Sequence, residues 1–208
     1  MPVEPWYPIP IYHAMVDDRK FDQIQNDFLT AFDDLKSKDK FQHRPGWEKG
    51  THLLHDPNFL GNLIKDYNME AFAIELKRHV ISYMKQAGSF GDEVPDFVIG
   101  QCWMTLTLNG QYAHKHAHGH ADLSGAYYVK TTGNDGDLYF EHPNKQLLQT
   151  SVAFNDLASK VVYKPQVGRL VMFPGWLEHG VFENKTDSER VSVSFNIYFQ
   201  RLYKLDIY

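Results

Sequence analysis

The sequence predicts a mainly β protein, a sandwich or jelly roll with two helices packed outside one antiparallel β core. Beyond residue 91, β-branched and aromatic runs alternate with turn residues, which is typical of strands. Before residue 91, apolar residues recur at three- and four-residue steps, the period of a helix. Six or more short strands at this spacing favour a sandwich or jelly roll of about 100 residues.

The first half of the chain predicts an extended segment and two helices. The first 17 residues carry four prolines, which favour an extended strand at a sheet edge. An apolar stripe then predicts a helix of about five turns that has Asp17 or Asp18 as its N-cap. A second stripe predicts a helix that ends at Gly88. The stripes consist of Phe21, Ile24, Phe28, Phe32 and Leu35, and of Phe72, Leu76, Val80 and Met84.

The second half of the chain predicts the strands of the core. They are Phe97–Leu108, Gly125–Lys130, Asp137–Phe140, Lys160–Tyr163, Gly168–Phe173 and Arg190–Gln200. We therefore predict a single domain over residues 1–208. Residues 1–95 form the extended lead-in and supporting helices, and residues 96–200 form the β core.

Composition excludes several classes of function. The formal net charge of −5, without a basic stripe, argues against a nucleic-acid binder. The single cysteine, Cys102, excludes an intramolecular disulfide framework or a cysteine-based metal site, and its place in an apolar alternation indicates the core. No apolar run approaches the length of a membrane span and the amino terminus lacks the pattern of a signal peptide, so we expect a cytoplasmic protein that binds no membrane.

A cluster of histidines is the first candidate for chemistry. Four of the eleven histidines fall within seven residues, at His114, His116, His118 and His120, and Asp122 follows two residues later. On a strand, residues two apart point to the same face about 6.5–7 Å apart, so two imidazoles can converge on one metal ion. A histidine-rich surface strand is the alternative interpretation.

Two downstream segments strengthen the metal hypothesis. His179 follows an apolar strand and a Pro-Gly turn, as an additional ligand would. The last strand then places polar residues on one face, which are Arg190, Ser192, Ser194, Asn196 and Tyr198. Arginine, serine and asparagine are donors suited to a carboxylate in a semi-enclosed pocket, although a solvated strand would also alternate.

These motifs, taken in order, resemble one known family. His116-x-His118 with Leu-Ser-Gly-Ala-Tyr-Tyr-Val129, Gly168-x-Leu-x-x-Phe-Pro-x-Trp-Leu-x-His179 and Arg190-x-Ser192-x-Ser-Phe-Asn196 are similar to the 2-oxoglutarate/Fe(II)-dependent oxygenase superfamily. The nearest resemblance is to its small, prolyl-hydroxylase-like group of bacterial and phage 2OG-Fe(II) oxygenases. The resemblance covers about Phe97–Phe199 and implies a double-stranded β-helix that uses Fe(II), 2-oxoglutarate and O2.

The resemblance also implies a role for individual residues. His116, His118 and His179 correspond to the metal ligands, and Arg190, Ser192 and Tyr128 to the residues that bind the far carboxylate of 2-oxoglutarate. The superfamily usually has His-x-Asp/Glu where this chain has His-x-His. Asp122 is therefore an alternative ligand, but it stands so close to the Leu-Ser-Gly turn that we favour His116 and His118.

The function implied is hydroxylation of an unactivated C–H bond in a peptidyl, amino-acid or small-molecule substrate, with release of succinate and CO2. The segment Glu141–Lys160 is expected to be a loop over the pocket mouth. Trp103, Thr105 and Thr107 share a face that could line this pocket, and Trp176 could wall it or pack elsewhere. Two alternatives remain at this point: a cupin-like metal-dependent dioxygenase or isomerase without 2-oxoglutarate, and a non-catalytic jelly-roll binding protein. The oligomeric state is left open.

Overall fold

The computed structural model describes residues 9–42, 61–87, 93–144 and 160–200, and the backbone of residues 52–54. The helices are α1 (Asp18–Ser37), α2 (Leu63–Asp66) and α3 (Glu70–Gln86). The strands are β1 (Tyr12–Met15), β2 (Phe41–Gln42), β3 (His52–Leu54), β4 (Phe97–Thr107), β5 (Ala113–His116), β6 (Leu123–Lys130), β7 (Leu138–Phe140), β8 (Val161–Tyr163), β9 (Arg169–Pro174), β10 (His179–Val181) and β11 (Arg190–Phe199).

The strands form two antiparallel sheets. The larger sheet has the order β1-β9-β6-β11-β4-β3-β2 and the smaller has the order β5-β10-β7-β8. The long strand β11 pairs with β4 on one side and β6 on the other, so the polar residues of β11 lie near the centre of the larger sheet. This two-sheet arrangement is the predicted jelly roll, which is confirmed.

The helices pack against one face of the larger sheet, and the smaller sheet covers the other. Tyr127 and Tyr128 are neighbours on β6 and point to opposite faces, as strand residues do. The ring of Tyr127 lies 5.4 Å from Phe28 of α1 and 5.3 Å from Phe72 of α3. Tyr128 packs instead with Leu138 and Phe140 of the smaller sheet.

One glycine permits the close packing inside this sandwich. A Cβ on Gly125 would lie 2.4 Å from Cζ of Phe195 and 2.5 Å from the carbonyl oxygen of Val171. These distances are far shorter than a carbon contact allows, so β6 and β11 hold their spacing only with glycine at this position.

The predicted elements agree with the structure. Helix α1 begins at Asp18, and the Asp17 side chain accepts a hydrogen bond from the backbone N–H of Arg19 at 3.0 Å. Strand β1 lies at an edge of the larger sheet, as the proline-rich first 17 residues predict. Helix α3 ends at Gln86, whereas Gly88 lies outside the described residues.

One difference concerns the first half of the chain. The short helix α2 was not predicted, because one turn is too short to show an apolar stripe. The single domain over residues 1–208 stays a prediction. Within the described ranges, the helices are all too short or too polar to cross a membrane.

Candidate metal centre

A cavity of about 250 Å³ lies between the two sheets, and both sheets contribute to its wall. Its lining consists of Trp103, Thr105, Ala113, His116, His118, Ser124, Gly125, Ala126, Tyr128, Leu138, Phe173, His179, Val181, Arg190, Ser192 and Ser194. Among the described residues, the ionisable groups of this lining are three histidines, Arg190 and Tyr128. Of the β4 residues expected to line a pocket, Trp103 and Thr105 do so.

The structure brings His116, His118 and His179 together. His116 ends β5 and His179 begins β10, and the two residues are direct partners in the antiparallel pairing of these strands. His118 lies two residues beyond the end of β5, where its backbone N–H donates to the carbonyl of Gly175 at 2.8 Å. One ring nitrogen from each histidine lies within 4.8 Å of the others.

Hydrogen bonds fix which ring nitrogen faces the centre. Nδ1 of His116 lies 2.6 Å from the carbonyl oxygen of His114, and Nδ1 of His179 lies 2.9 Å from that of Leu177. A carbonyl can only accept, so both Nδ1 atoms carry the proton. Nδ1 of His118 lies 2.9 Å from Oδ1 of Asn196. The Nε2 lone pairs are thereby left for a metal ion.

Burial keeps two of the three imidazoles neutral. It lowers the pKa of His118 to about 4 and that of His179 to about 3, and the neighbouring His116 lowers both pKa values further. A charged imidazolium is disfavoured where water is excluded and a second imidazole is close. At neutral pH these two rings therefore hold no proton on Nε2, which is the state that a metal requires.

The donor set fits Fe(II). Three convergent imidazole nitrogens suit a first-row transition metal, and three ligands on one side leave coordination positions open for a bidentate acid and O2. The cavity beside the triad supplies the space for these ligands.

Arg190 provides a buried cation in the same cavity. It is 2% exposed, and its guanidinium donates to the carbonyl of Gly136 at 2.8 Å and to Oγ1 of Thr107 at 2.9 Å. Burial lowers the pKa of Arg190, although the nearby Asp135 and Asp137 act in the opposite direction. Among the described residues, its Nε is the one buried side-chain nitrogen or oxygen without a hydrogen-bond partner. A buried cation with an unused donor is suited to a ligand carboxylate.

Hydroxyl groups line the same cavity as this cation. Oγ of Ser192 lies 2.7 Å from Oγ1 of Thr105, which holds the Ser192 hydroxyl on the cavity side of β11. Tyr128 is 2% exposed, and burial raises the pKa of its hydroxyl to about 12, so it is a neutral donor. Arg190, Ser192 and Tyr128, the residues that the resemblance implies, thus lie in one cavity with the histidines.

Several candidates lie elsewhere. Asp122 is engaged with strand β11, because its Oδ2 accepts from the backbone N–H of Phe199 at 2.8 Å. His120 is exposed in a turn, and His114 contributes its backbone carbonyl, which faces Nδ1 of His116. Trp176 is 53% exposed and does not line the cavity, and Cys102 is fully buried, as predicted.

The strand geometry explains part of this distribution. Alternate histidines share one face only while the strand continues, and β5 ends at His116. Residues 145–159 of the expected loop Glu141–Lys160 lie outside the described part of the chain.

Sequence reasoning missed the residues that hold Arg190. Asp135 is fully buried and accepts from the Thr131 hydroxyl and the Thr132 backbone N–H, both at 2.6 Å. This turn places the Gly136 carbonyl opposite Arg190. Gly136 has a φ of +105°. The Thr-Gly-Asn-Asp-Gly run was an available signal for a tight turn, but nothing in it points to Arg190, 54 residues away.

Fold and site together place a candidate metal centre inside a double-stranded β-helix. Residues 101–196 match a family model described as "Putative 2OG-Fe(II) oxygenase". The predicted resemblance to the 2-oxoglutarate/Fe(II)-dependent oxygenases is confirmed by this match, which spans just under half of the chain, and the three histidines fit the expected cofactors Fe(II), 2-oxoglutarate and O2. No curated protein matches the chain in sequence.

Solved structures share the fold at low sequence identity. The non-heme alpha ketoglutarate dependent epimerase SnoN from nogalamycin biosynthesis is 16% identical, with a TM-score of 0.63 over 92% of this chain and 78% of its own. SnoN is also known in complex with Fe3+, alpha ketoglutarate and nogalamycin RO. A Pseudomonas putida prolyl-4-hydroxylase is 14% identical, with a TM-score of 0.57 over 93% and 94%. A Trichoplax adhaerens prolyl hydroxylase, bound to a hypoxia inducible factor peptide fragment, is 13% identical, with a TM-score of 0.61 over 91% and 83%.

Proposed function

We propose that this oxygenase hydroxylates an unactivated C–H bond of a peptidyl, amino-acid or small-molecule substrate, with release of succinate and CO2. His116, His118 and His179 hold the metal ion, and Arg190, Ser192 and Tyr128 hold the far carboxylate of 2-oxoglutarate. The observation that carries the proposal is the shared cavity, which combines three convergent imidazoles with a buried guanidinium that lacks a partner at Nε.

Each part of the chain has a physical task in this scheme. The three Nε2 atoms bind the metal from one side, while their Nδ1–H groups are anchored to oxygen acceptors. Arg190 supplies the positive charge for the dicarboxylate, and Ser192 and Tyr128 supply hydroxyl donors. Iron and 2-oxoglutarate, when bound, supply the oxidising chemistry.

The apolar part of the cavity wall has a separate task. Leu138, Phe173 and Val181 line the cavity without polar groups, and they exclude water from the reacting centre. The neighbours in fold include both prolyl hydroxylases and an epimerase of a small molecule, which supports the proposed range of substrates. A cupin-like enzyme would also use three histidines, but it would leave the buried Arg190 without a task.

Anaerobic titration of apo-protein with Fe(II) and 2-oxoglutarate tests the proposal. We expect a weak visible metal-to-ligand charge-transfer band in the wild type and its loss in Arg190→Ala. Arg19→Ala is the matched control, because the Arg19 side chain is 89% exposed on α1. The absence of the band in both the wild type and Arg19→Ala would contradict the proposed cosubstrate site.

The reaction itself needs a second measurement. Succinate release that requires Fe(II), 2-oxoglutarate and O2, together with a product 16 mass units heavier than a candidate peptide or amino acid, is the expected result for hydroxylation, which inserts one oxygen atom. Succinate release with a product of unchanged or lower mass would contradict hydroxylation and leave the oxygenase class intact.

A further inference from the structure

His118 is the histidine of the triad whose orientation depends on a distant side chain. His116 and His179 each donate from Nδ1 to a carbonyl two residues away in the chain, so local backbone geometry fixes them. His118 lies in the turn after β5, and its Nδ1 faces Oδ1 of Asn196 on β11, 78 residues away, at 2.9 Å. Its ring also stacks on Trp103 at 5.7 Å between centroids. Stacking restrains the plane of the ring but not which nitrogen carries the proton.

Hydrogen bonds to Ser124 and Gln101 orient the amide of Asn196. Oδ1 accepts a hydrogen bond from the Ser124 hydroxyl at 2.7 Å, and Nδ2 donates to Oε1 of Gln101 at 2.7 Å. Gln101 Oε1 also accepts from the Tyr198 hydroxyl at 3.2 Å. A flipped Asn196 amide would set Oδ1 against Oε1 of Gln101, unless the Gln101 amide also rotated and gave up its hydrogen bond from the Tyr198 hydroxyl. In the observed network the second lone pair of Oδ1 faces His118, which donates.

Asn196 is 5% exposed and does not line the cavity, so it has no access to 2-oxoglutarate or substrate. Its place on the polar face of β11 predicts a carboxylate donor, but its geometry gives it a different task from Arg190 and Ser192. The buried Asn196 amide is connected to the site by its hydrogen bonds to His118 and Ser124, which both line the cavity.

We propose that Asn196 is a positioning residue, which fixes His118 as the Nδ1–H tautomer and aims its Nε2 at the metal ion. Ser124 and Gln101 fix the orientation of the Asn196 amide. This inference rests on the proposed metal centre, in which His118 is a ligand. Residues that hold the second nitrogen of a ligating histidine commonly change metal affinity by about 10- to 100-fold when they are replaced.

The test compares Zn(II) affinity and the tautomer of His118 in purified variants. We expect Asn196→Leu to raise the Zn(II) dissociation constant about 10- to 100-fold in competition with a chromophoric chelator. Asn196→Asp keeps an acceptor for Nδ1, and the Gln101 amide can rotate to donate to it, so its dissociation constant should stay within about threefold of wild type. Asn62→Leu is the control, because it removes another buried amide, which bonds the Ile99 carbonyl away from the cavity. It should lower the melting temperature without changing Zn(II) affinity.

Nitrogen-15 NMR of labelled histidines in the apo-protein reads the tautomer directly, with His118→Gln used to assign the signal. We expect Nδ1–H for His118 in the wild type and in Asn196→Asp. A wild-type His118 protonated at Nε2 overturns the inference, and this result requires no variant to fold. Zn(II) affinity that is unchanged in a folded Asn196→Leu overturns it as well. If the wild type binds neither Zn(II) nor Fe(II), the proposed function fails, whereas the tautomer measurement still tests Asn196.

Discussion

Arg190→Met should separate binding of 2-oxoglutarate from stability of the fold. The side chain is 2% exposed and makes two hydrogen bonds to uncharged acceptors, the Gly136 carbonyl and the Thr107 hydroxyl. Loss of two bonds from a charged donor costs about 3–6 kcal/mol. Removal of a buried charge returns several kcal/mol of desolvation, and it also removes the unpaired Nε, which costs about 1–3 kcal/mol in the wild type. These contributions oppose each other, so the free energy of unfolding of the apo-protein should change by less than about 2 kcal/mol.

The effect on the ligand should be much larger. Removal of one partner of a buried, hydrogen-bonded charge pair costs about 2–5 kcal/mol, which corresponds to a dissociation constant about 30- to 4,000-fold higher. Urea unfolding measures the first quantity, and calorimetric titration of Zn(II)-loaded protein with 2-oxoglutarate measures the second. A Kd within about threefold of wild type would refute the role of Arg190. A loss of more than about 4 kcal/mol in stability would show that the guanidinium is structural.

Three further predictions follow from the same geometry. His118→Ala should lose bound iron after gel filtration, whereas Asp122→Asn should keep it, because Asp122 binds the backbone of Phe199 and lies outside the triad; iron retained in His118→Ala would contradict the proposed ligand set. Gly125→Ala should lose about 1–3 kcal/mol of stability in urea unfolding, because a Cβ there meets Phe195 and the Val171 carbonyl. Gly119→Ala is the control: a Cβ there meets nothing within 4 Å, so this variant should lose less than about 0.5 kcal/mol. Burial lowers the folded-state pKa of His118 to about 4 and that of His179 to about 3. Because the unfolded chain then binds more protons, the unfolding free energy of the apo-protein should fall as the pH drops from about 6.5 towards 4. His179→Gln should show a shallower dependence on pH, and an equal slope would contradict the assignment.

The elements that were predictable from sequence are those with a strong local period. The stripe of Ile24, Phe28 and Leu35 is buried on α1 as expected, and the alternation of β11 places Arg190 and Ser192 towards the cavity. The order of the motifs also identified His116, His118 and His179, which the fold brings within reach of one ion. These inferences succeed because each depends on residues a few positions apart or on a motif that is itself specific.

The contacts that position the site were not predictable, because they connect strands distant in sequence. Whether Asn196 faces the cavity or His118 depends on where β5 ends and on the turn that follows, which periodicity does not specify. The two hydrogen bonds of Arg190 join β11 to β4 and to the turn at Gly136. Helix α2 is too short to have a stripe of its own.

The most direct test of the account is an anaerobic crystal structure of the protein with Fe(II) and 2-oxoglutarate. The account predicts one iron ion about 2.0–2.2 Å from Nε2 of His116, His118 and His179, with the far carboxylate of 2-oxoglutarate on the guanidinium of Arg190. An iron ion bound by Asp122, or 2-oxoglutarate seated away from Arg190, would contradict it.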